Sequence, residues 1–531
     1  MLKNSNFSKS FVLGTSLLMV VFNAYFFQLI SSFFGIHLIE FIFPLSIFFV
    51  GILLYFYDSN WKQFFISSGT LLGILIFSVF ISSIVIDTSY DGLWYQLEGV
   101  FKITNGWNPW YEDIRGEEMS EVYNTYTKGP WIYGGTMYGL TGFIDSAKCF
   151  NWILMFSVSF YSYYLFYEFL KYKLSIALLL SFLVITNPVS LSQLFTYYID
   201  GQLSNLLIIL IILLIICYEN PLNKFVLFII AIDICILCNI KITGFIYASI
   251  FCFIFIIALI LRNGFKVVKI PVTYLFIGFF ISIFFFGYNP YVKNSIEHGH
   301  PFYPMNNPFI EYHEPSNFVG KNNVYKAAVS HLSYSSYKSH DDFVEIKQPF
   351  DLTDINYNSA EIRTGGFGSF FRLIIYLSFI ILLLEFPYLK NHKLETLIIF
   401  TIFFSSIINP GVWWARYVPQ LYLIPLVIYV MARKSLSIYS RRLSIFLITL
   451  LILNSINNLR NVFSQTINKQ IEIKEQLNSI KKIDLYRGKF KIIDIQLQER
   501  GIEIYEHNLN CSKPQRLEWG PDSCYFCPVK Y

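Results

Sequence analysis

Long apolar runs separated by short polar segments dominate the chain. A run of about 18 or more apolar residues is typical of a helix that crosses a membrane, whatever its internal periodicity. Such runs begin near Phe11, Ile36, Phe64, Cys149, Leu174, Gly201, Phe225, Gly244, Ile270, Leu373, Leu394, Tyr417 and Leu443. Some are short or joined by very tight turns, so the pattern predicts an all-α polytopic membrane protein with about 13 spans, within a range of roughly 11 to 13.

The same pattern divides the chain into three parts. Residues 1–63 hold the first two predicted helices, and the first apolar run lacks the short core and small-residue cleavage site of a signal peptide. Residues 64–457 form a membrane module interrupted by two long polar segments, 87–148 and 288–372. Residues 458–531 form a polar tail, which we expect to be a small α/β or β domain.

The positions of lysine and arginine predict the orientation. With a cytoplasmic N-terminus, the cytoplasmic side of the predicted helices holds fifteen Lys and Arg residues, whereas the short connections on the other side hold only Lys241 and Arg416. Segments 87–148 and 288–372 and the tail are then extracytoplasmic. We expect the protein to act where this polar mass lies.

The composition agrees with a membrane protein. Of the 531 residues, 55% are hydrophobic and only 14% are charged, whereas a soluble chain carries roughly 25% charged residues. The net charge is +5 and no basic stripe or nucleic-acid-binding motif occurs, so the expected partner is a lipid bilayer and not a nucleic acid.

In the tail, KFKIIDIQL and GIEIYEHN alternate between apolar and polar residues, which predicts two half-buried strands. Cys511, Cys524 and Cys527 also lie there. Cys524 and Cys527 have the spacing of zinc ligands but no second pair or histidine partner. In an oxidising compartment we therefore favour a disulfide from Cys511 to one member of the pair. The other five cysteines lie in or beside apolar runs and are interpreted as packing residues.

DTSYDGLWYQ, at the end of the third apolar run, holds the most suggestive polar residues. If the helix continues for one turn beyond the membrane, Asp87 and Asp91 lie on one face. Two such carboxylates raise the pKa of one of them, or share a metal ion or another cation. For Trp94 and Tyr95, a place in an interfacial aromatic belt explains the residues at least as well as a functional role does. For Asp91 we favour a functional role over a simple polar helix end.

Five other polar residues lie on the same predicted side. Asp200 starts a helix, where capping is the alternative role. Lys241 lies in a tight turn and needs an anionic partner, for which Asp200 or a lipid phosphate would serve. His298 and His300 flank Gly299; two histidines are too few for a metal site, and His300 is a candidate proton donor or phosphate ligand. Arg416 either anchors a helix or binds a phosphate.

No Walker motif, GxGxxG loop, GxSxG elbow or HExxH occurs in a fitting context, which argues against an ATP-driven pump and a membrane protease. The predicted cytoplasmic loops are too small for a nucleotide-binding domain. An energy-rich substrate therefore has to come from the membrane or from the outer side.

The motifs resemble those of the GT-C superfamily, membrane glycosyltransferases that use polyprenyl-phosphate-linked sugars, including bacterial mannosyltransferases and aminoarabinose transferases. The family carries acidic residues in the first outer loop after a membrane helix, matched here by Asp87 and Asp91. HGHPFYP, around His300, and WWARYVP, around Arg416, are also similar to bacterial members. The resemblance covers roughly residues 64–431. The spacing Asp-x-x-x-Asp departs from the adjacent or once-spaced acids of many relatives, which leaves the catalytic Asp and the use of a metal open.

The resemblance implies a function and a set of roles. A sugar passes from a lipid-phosphate donor to a glycan, lipid or protein acceptor on the outer face of a bacterial inner membrane, with inversion at the sugar carbon. We expect Asp91 to be the general base, with Asp87 as its partner, and Arg416 and Lys241 to bind the phosphate. His300, Asp200 and Tyr95 are further substrate-binding candidates. No cofactor follows from the sequence, and Mg²⁺ or Mn²⁺ at Asp87 and Asp91 stays an open alternative.

Two other functions remain open. An O-antigen-type polymerase or ligase has many helices and outer loops as well, but depends on loop arginines rather than on an acid at a helix end. A transporter or flippase places polar groups near the middle of the membrane. Asp233, inside a predicted span, favours the transporter.

Overall fold

The computed structural model describes residues 7–37, 39–58, 60–304, 314–336, 342–348, 350–478, 480–521 and 523–528. In these ranges the protein is built mainly of α-helices, with one small sheet near the C-terminal end. This agrees with the predicted helical membrane class.

The first ten α-helices lie between residues 9 and 219. They are α1 Lys9–Phe33, α2 Ile39–Tyr57, α3 Trp61–Ile84, α4 Leu97–Thr104, α5 Ser120–Thr125, α6 Gly129–Thr141, α7 Cys149–Tyr163, α8 Leu174–Ile185, α9 Pro188–Ser192 and α10 Asp200–Glu219. The others are α11 Lys224–Ile240, α12 Ile242–Asn263, α13 Phe265–Ile281, α14 Lys293–His298, α15 Asn323–His331, α16 Phe371–Glu385, α17 Lys393–Ile407, α18 Leu423–Arg433, α19 Ile438–Asn478 and α20 Ile492–Gln498.

Eight helices of the described ranges are long and apolar enough to cross a membrane, which makes the chain an integral membrane protein. The predicted count of 13 is not confirmed. A helix lies in or beside each of the thirteen predicted runs, but five of them fall short of this length: α7 with 15 residues, α8 with 12, α11 with 17, α17 with 15 and α18 with 11.

α10 lies at the centre of the membrane region and packs against α7, α11 and α12. Nearly all of its side chains are buried, as expected for a helix that is apolar on every side. By contrast, α2, α3 and α13 leave large apolar side chains such as Phe48, Phe65 and Phe276 exposed. An exposed apolar surface of this kind suits contact with lipid tails.

The first long polar segment folds back onto the membrane helices. It contains α4, α5 and α6, and α6 packs against α1, α2 and α4. The second long segment contains α14 and α15 and two isolated strand-type pairings, Ser333 with Ile346 and Ser336 with Thr364. Both segments therefore hold fixed structure at one end of the bundle, which we call the loop end.

α19 joins the membrane region to the tail. It has 41 residues, which corresponds to about 60 Å at 1.5 Å per residue. The predicted boundary at residue 458 falls inside this helix. The sheet follows it, with β1 Lys482–Tyr486, β2 Glu503–Ile504, β3 Gln515–Arg516 and β4 Tyr525–Pro528 in the order β2-β1-β4-β3. β1 and β2 are parallel and α20 connects them, while β4 runs antiparallel to β1 and β3.

For one of the two tail segments, the prediction of a strand is wrong. KFKIIDIQL forms α20, because its buried residues Ile492, Ile493, Gln496 and Leu497 repeat with the spacing of one helix face. GIEIYEHN contains β2, as predicted. A disulfide joins Cys511 to Cys527, and Cys524 is a buried free thiol, as are the five cysteines of the apolar runs.

Candidate active site

Asp91 lies at the start of a new helix and not on an extension of α3. The third membrane helix ends at Ile84, and the chain is extended at Val85. Asp87 then accepts a hydrogen bond from the Ser89 N–H at 2.8 Å, a turn that Asp side chains favour. A second helix follows, with a π-helical turn at Gly92–Gln96 and then α4. Asp87 and Asp91 therefore do not share one helix face, contrary to expectation.

The Asp91 carboxylate is bound by Arg416. A guanidinium N–H of Arg416 donates to Asp91 Oδ2 at 3.1 Å, and the same nitrogen lies 3.7 Å from Asp200 Oδ2. Lys241 donates to the other oxygen of Asp200 at 2.7 Å. The structure thus brings together four of the predicted site residues in one network of alternating charge.

A local reason for each position is visible in the backbone. Asp200 opens α10, where the partial positive charge of a helix N-terminus favours a carboxylate. Lys241 has extended backbone angles and separates α11 from α12. Arg416 lies in a single 3-10 turn, Ala415–Tyr417, between α17 and the start of α18. The three residues are therefore held at ends of structural elements at the loop end.

Glu361 adds a third carboxylate to the network. It accepts a hydrogen bond from the Tyr198 hydroxyl at 3.3 Å, and its other oxygen lies 3.3 Å from Arg363 and 4.0 Å from Arg416. Tyr198 also lies against Asp91, whose backbone N–H points to the Tyr198 oxygen at 3.5 Å. Three carboxylates and three cations, counting Arg363, therefore meet here.

Aromatic rings enclose the cations. The Arg416 guanidinium lies over Trp414 at 4.3 Å from the ring centre, and Arg363 lies over the same ring at 4.6 Å. Lys241 lies over Tyr417 at 4.2 Å. Trp414 belongs to a small apolar cluster with Phe318, Val329, Val344 and Trp413. This cluster gives the guanidinium groups a rigid, partly desolvated wall, which strengthens their attraction to anions.

The chemistry that the network allows follows from its burial. Burial raises the pKa of the Asp91 carboxyl above its ordinary value; Arg416 opposes the rise, and Glu361 and Asp200 add to it. A carboxylate with a raised pKa is a better proton acceptor. The buried Arg416 Nε has no hydrogen-bond partner among the described residues.

Tyr95 lies in the π-helical turn beside this network. Burial raises its pKa well above the ordinary value, and the nearby Asp91 carboxylate raises it further. Its ring packs edge-on against Tyr126 and Trp94. The tyrosine hydroxyl therefore stays protonated at neutral pH, and its position beside Asp91 is compatible with the predicted substrate contact.

Asp87 belongs to a different network. Its carboxylate accepts the Tyr197 N–H at 2.6 Å, and its own N–H donates to Asp145 at 2.8 Å. Asp145 is paired with Lys148 at 2.7 Å and with Arg500 of the tail at 2.8 Å. A Cβ at Gly92 would lie only 2.5 Å from Asp87 Oδ2, so this packing needs glycine there. Asp87 anchors the turn that precedes Asp91.

The contacts of the two acids do not fit a shared metal ion. Asp87 binds backbone N–H groups, whereas Asp91 binds Arg416. Within the described ranges, no three His, Cys, Asp or Glu side chains are arranged to hold a metal.

His300 lies outside the charged network. Its Nδ1 accepts the Phe302 N–H at 3.1 Å, and its ring packs edge-on against Phe302. No hydrogen bond or ion pair to Asp91, Asp200 or Arg416 is present among the described residues. His298 is stacked on Tyr303. The structure therefore does not bring His300 to the other candidates.

Sequence inspection missed Glu361, Arg363 and Tyr198. Glu361 and Arg363 lie in an irregular part of the second long segment, where a Glu-x-Arg pair resembles ordinary solvated charge. Tyr198 precedes Asp200 by two residues in FTYYID, and its proximity to a candidate acid was the one available signal.

No protein-family model matches the chain, and a search of curated proteins finds no match. The GT-C resemblance therefore remains an expectation drawn from short motifs.

Proposed function

We propose that the protein is a membrane glycosyltransferase of the GT-C type, which transfers a sugar from a lipid-phosphate donor to a glycan, lipid or protein acceptor. The observation that carries the proposal is the joining of Asp91, Asp200, Lys241 and Arg416 at the loop end of the membrane helices. Donor phosphate and donor sugar would meet there, because a lipid phosphate lies at the membrane interface. We place this end on the extracytoplasmic side, following the distribution of Lys and Arg.

In the proposed reaction Asp91 is the general base. It takes the proton of the acceptor hydroxyl while the hydroxyl oxygen attacks the anomeric carbon, and the bond from that carbon to the phosphate oxygen breaks. General base catalysis contributes typically about 10²–10⁴-fold to a rate. The raised pKa of Asp91 supports this role, because it makes the carboxylate a stronger proton acceptor.

Arg416 and Lys241 bind the phosphate that leaves. A planar guanidinium matches two phosphate oxygens, and a fixed ammonium adds a second charge where negative charge develops. Asp200 acts as a positioning residue, since it contacts Lys241 and lies beside Arg416. When the phosphate engages Arg416, the Asp91 carboxylate loses part of its ion pair and becomes more basic.

The test combines genetics with glycan analysis. We expect deletion of the gene to remove one surface glycan or glycolipid signal in mass spectrometry, and the wild-type gene to restore it. Asp91→Asn should fail to restore it at equal protein level. Asp113→Asn, on the same loop segment but paired with Lys293, is the matched control and should restore it. Unchanged glycans after deletion, or full restoration by Asp91→Asn, would contradict the proposal.

A polymerase or ligase of lipid-linked polysaccharide is the second candidate. It is favoured by the pair of arginines, Arg363 and Arg416, which come from two loop segments and share one tryptophan ring. In that case Arg363→Gln should abolish product formation while Asp91→Asn leaves much of it. The opposite result supports the proposed transferase.

Transport is the third candidate, and Asp233 is the observation behind it. The side chain is fully buried within α11, and neither carboxylate oxygen has a hydrogen-bond partner among the described residues. An acid in such surroundings is often functional. If vesicles containing the protein take up a labelled solute in an Asp233-dependent way without sugar transfer, the transferase proposal fails.

A further inference from the structure

A groove of about 430 Å³ lies between the loop end of the membrane region and the tail. One wall is formed by α4 and the chain that follows it, with Phe101, Asn105 and Trp107, and the other by α20, with Ile492 and Ile495. A volume of this size is in the range of small-molecule sites. The groove is separate from the charged network around Arg416.

The charged groups at the groove are already paired with one another. Lys102 lies 2.7 Å from Glu117, Lys491 lies 3.2 Å from the same carboxylate, and Arg487 donates to Asp494 at 2.7 Å. These pairs leave little excess charge for a polyanion. They do hold hydrogen-bond donors and acceptors at fixed positions around an apolar floor.

A saccharide matches this combination. Its hydroxyl groups bind fixed donors and acceptors, and its C–H face packs on the electron-rich face of an aromatic ring. Phe101 and Trp107 supply partly exposed rings, and the Asn105 side chain is exposed at the groove. A hydrocarbon ligand would leave the ion pairs without water, and a polyanion would meet Glu98, Glu117 and Asp494.

The groove lies further along the helical run that begins at Asp91. Asp91 and Asn105 lie on consecutive helical segments, so the rise along the helix axis from Asp91 is about 10 Å to groove residue Glu98 and about 20 Å to Asn105 at 1.5 Å per residue. Lys489, between groove residues Arg487 and Lys491, lies over Trp94 at 3.4 Å. Its neighbour Phe490 packs edge-on against Tyr90.

We propose that this groove binds an uncharged saccharide segment of the acceptor and directs its reactive end to Asp91. This inference rests on the proposed transferase function and names the acceptor as a glycan chain. The tail then selects the acceptor, while the network around Arg416 binds the donor phosphate.

Binding is tested directly, without catalysis. The probes are neutral hexasaccharides of glucose, mannose and N-acetylglucosamine and a heparin hexasaccharide, titrated onto the full chain in lipid nanodiscs. We expect at least one neutral hexasaccharide to bind. Filling the groove from either wall, with Asn105→Trp or Ile495→Trp, should weaken binding by about tenfold or more, which is about 1.4 kcal/mol.

Glu118→Trp is the matched control, because Glu118 is an exposed residue of the same loop segment that does not line the groove. It should bind the hexasaccharide as the wild type does, and all variants should have the melting temperature of the wild type. The inference is overturned if no neutral hexasaccharide binds, if both groove variants bind normally, or if only heparin binds in a salt-sensitive way.

The two proposals fail in different ways. Asp91→Asn should keep hexasaccharide binding, since Asp91 does not line the groove. If binding is normal and depends on the groove but the wild-type protein transfers no sugar, the transferase proposal fails and the groove stands. If transfer is normal with Asn105→Trp and Ile495→Trp, the groove proposal alone fails.

Discussion

Arg416 donates a hydrogen bond to Asp91 Oδ2 across 3.1 Å, although 325 positions separate the two residues in the chain. The contact joins the first long polar segment to the turn before the last helices of the membrane region. The contact favours the charged form of both groups, while burial still raises the pKa of the Asp91 carboxyl above its ordinary value. In the proposed reaction, the donor phosphate and Asp91 would compete for this one cation.

Asp91→Asn should lower kcat for sugar transfer by about 10²–10⁴-fold with a small change in the KM for the donor, because the amide cannot accept the acceptor proton. Asp87→Asn should act differently. Asp87 accepts hydrogen bonds from two backbone N–H groups. In the variant, the amide N–H₂ would face one of these N–H groups, so two donors would meet. We expect a lower melting temperature, with kcat per folded molecule within a few-fold of wild type. Equal kcat losses in both variants would contradict the separation of roles.

Arg416→Lys keeps the charge but loses the planar fork that binds two oxygens. We expect the KM for the lipid-phosphate donor to rise and kcat to fall, together by at least about tenfold in kcat/KM, or about 1.4 kcal/mol of transition-state stabilisation. Lys434→Arg is a control for lysine–arginine exchange elsewhere, since Lys434 forms an exposed pair with Glu395. If Arg416→Lys retains full kcat/KM, the guanidinium does not bind the phosphate.

The acid limb of the pH profile should report Asp91. A base must be deprotonated to act, so kcat/KM should rise as pH increases through the pKa of Asp91, which burial raises above the ordinary value. The limb should therefore lie above about pH 4, the usual range of aspartate. Glu361→Gln removes a like charge that raises this pKa and should move the limb to lower pH. A limb that does not move would assign the ionisation to another group.

Much of this arrangement was open to prediction because polar residues at the ends of apolar runs are costly without a purpose. The site residues Asp91, Asp200, Lys241 and Arg416 all lie at such ends. Side chains at the ends of neighbouring helices can reach one another at the loop end. Pairing of Lys241 with Asp200 in particular follows from the need to neutralise a lone ammonium beside a bilayer.

The remainder depended on local chemistry that periodicity does not show. The separation of Asp87 from Asp91 arises from the end of α3 at Ile84 and the turn at Ser89. Glu361 lies in irregular chain that only the fold brings to Arg416. The sequence of α20 also fits a strand, because a short apolar segment matches both periods. Its burial on one helix face is a tertiary effect.

Removing one member of the buried ion pair of Asp145 and Lys148 should destabilise the loop end. Both side chains are fully buried and 2.7 Å apart. Lys148→Met leaves Asp145 with Arg500 as the cation that pairs with it, and Asp145→Asn takes from Lys148 the carboxylate that it contacts. Removing one member of a buried pair costs about 3–5 kcal/mol. The double variant should recover part of the loss, since neither member of this pair then stays inside without the other. Denaturant titration in nanodiscs measures this, and additive losses would contradict it.

Attachment of the tail should weaken as pH rises through neutrality. Both carboxylate oxygens of Glu499 accept the Ile144 N–H at 3.0 Å. Burial raises the pKa of Glu499 to about 7; Ile144 and Arg500 oppose this and Asp145 adds to it. A raised pKa in the folded state contributes stability below the unfolded-state pKa, near 4.3, that is lost as pH rises through 7. The Ile144 amide should therefore exchange hydrogen faster at pH 8 than at pH 5, beyond the intrinsic change in exchange rate. Glu499→Gln keeps an acceptor without the ionisation and should remove this difference, whereas Glu503→Gln, on the exposed edge strand β2, should keep it.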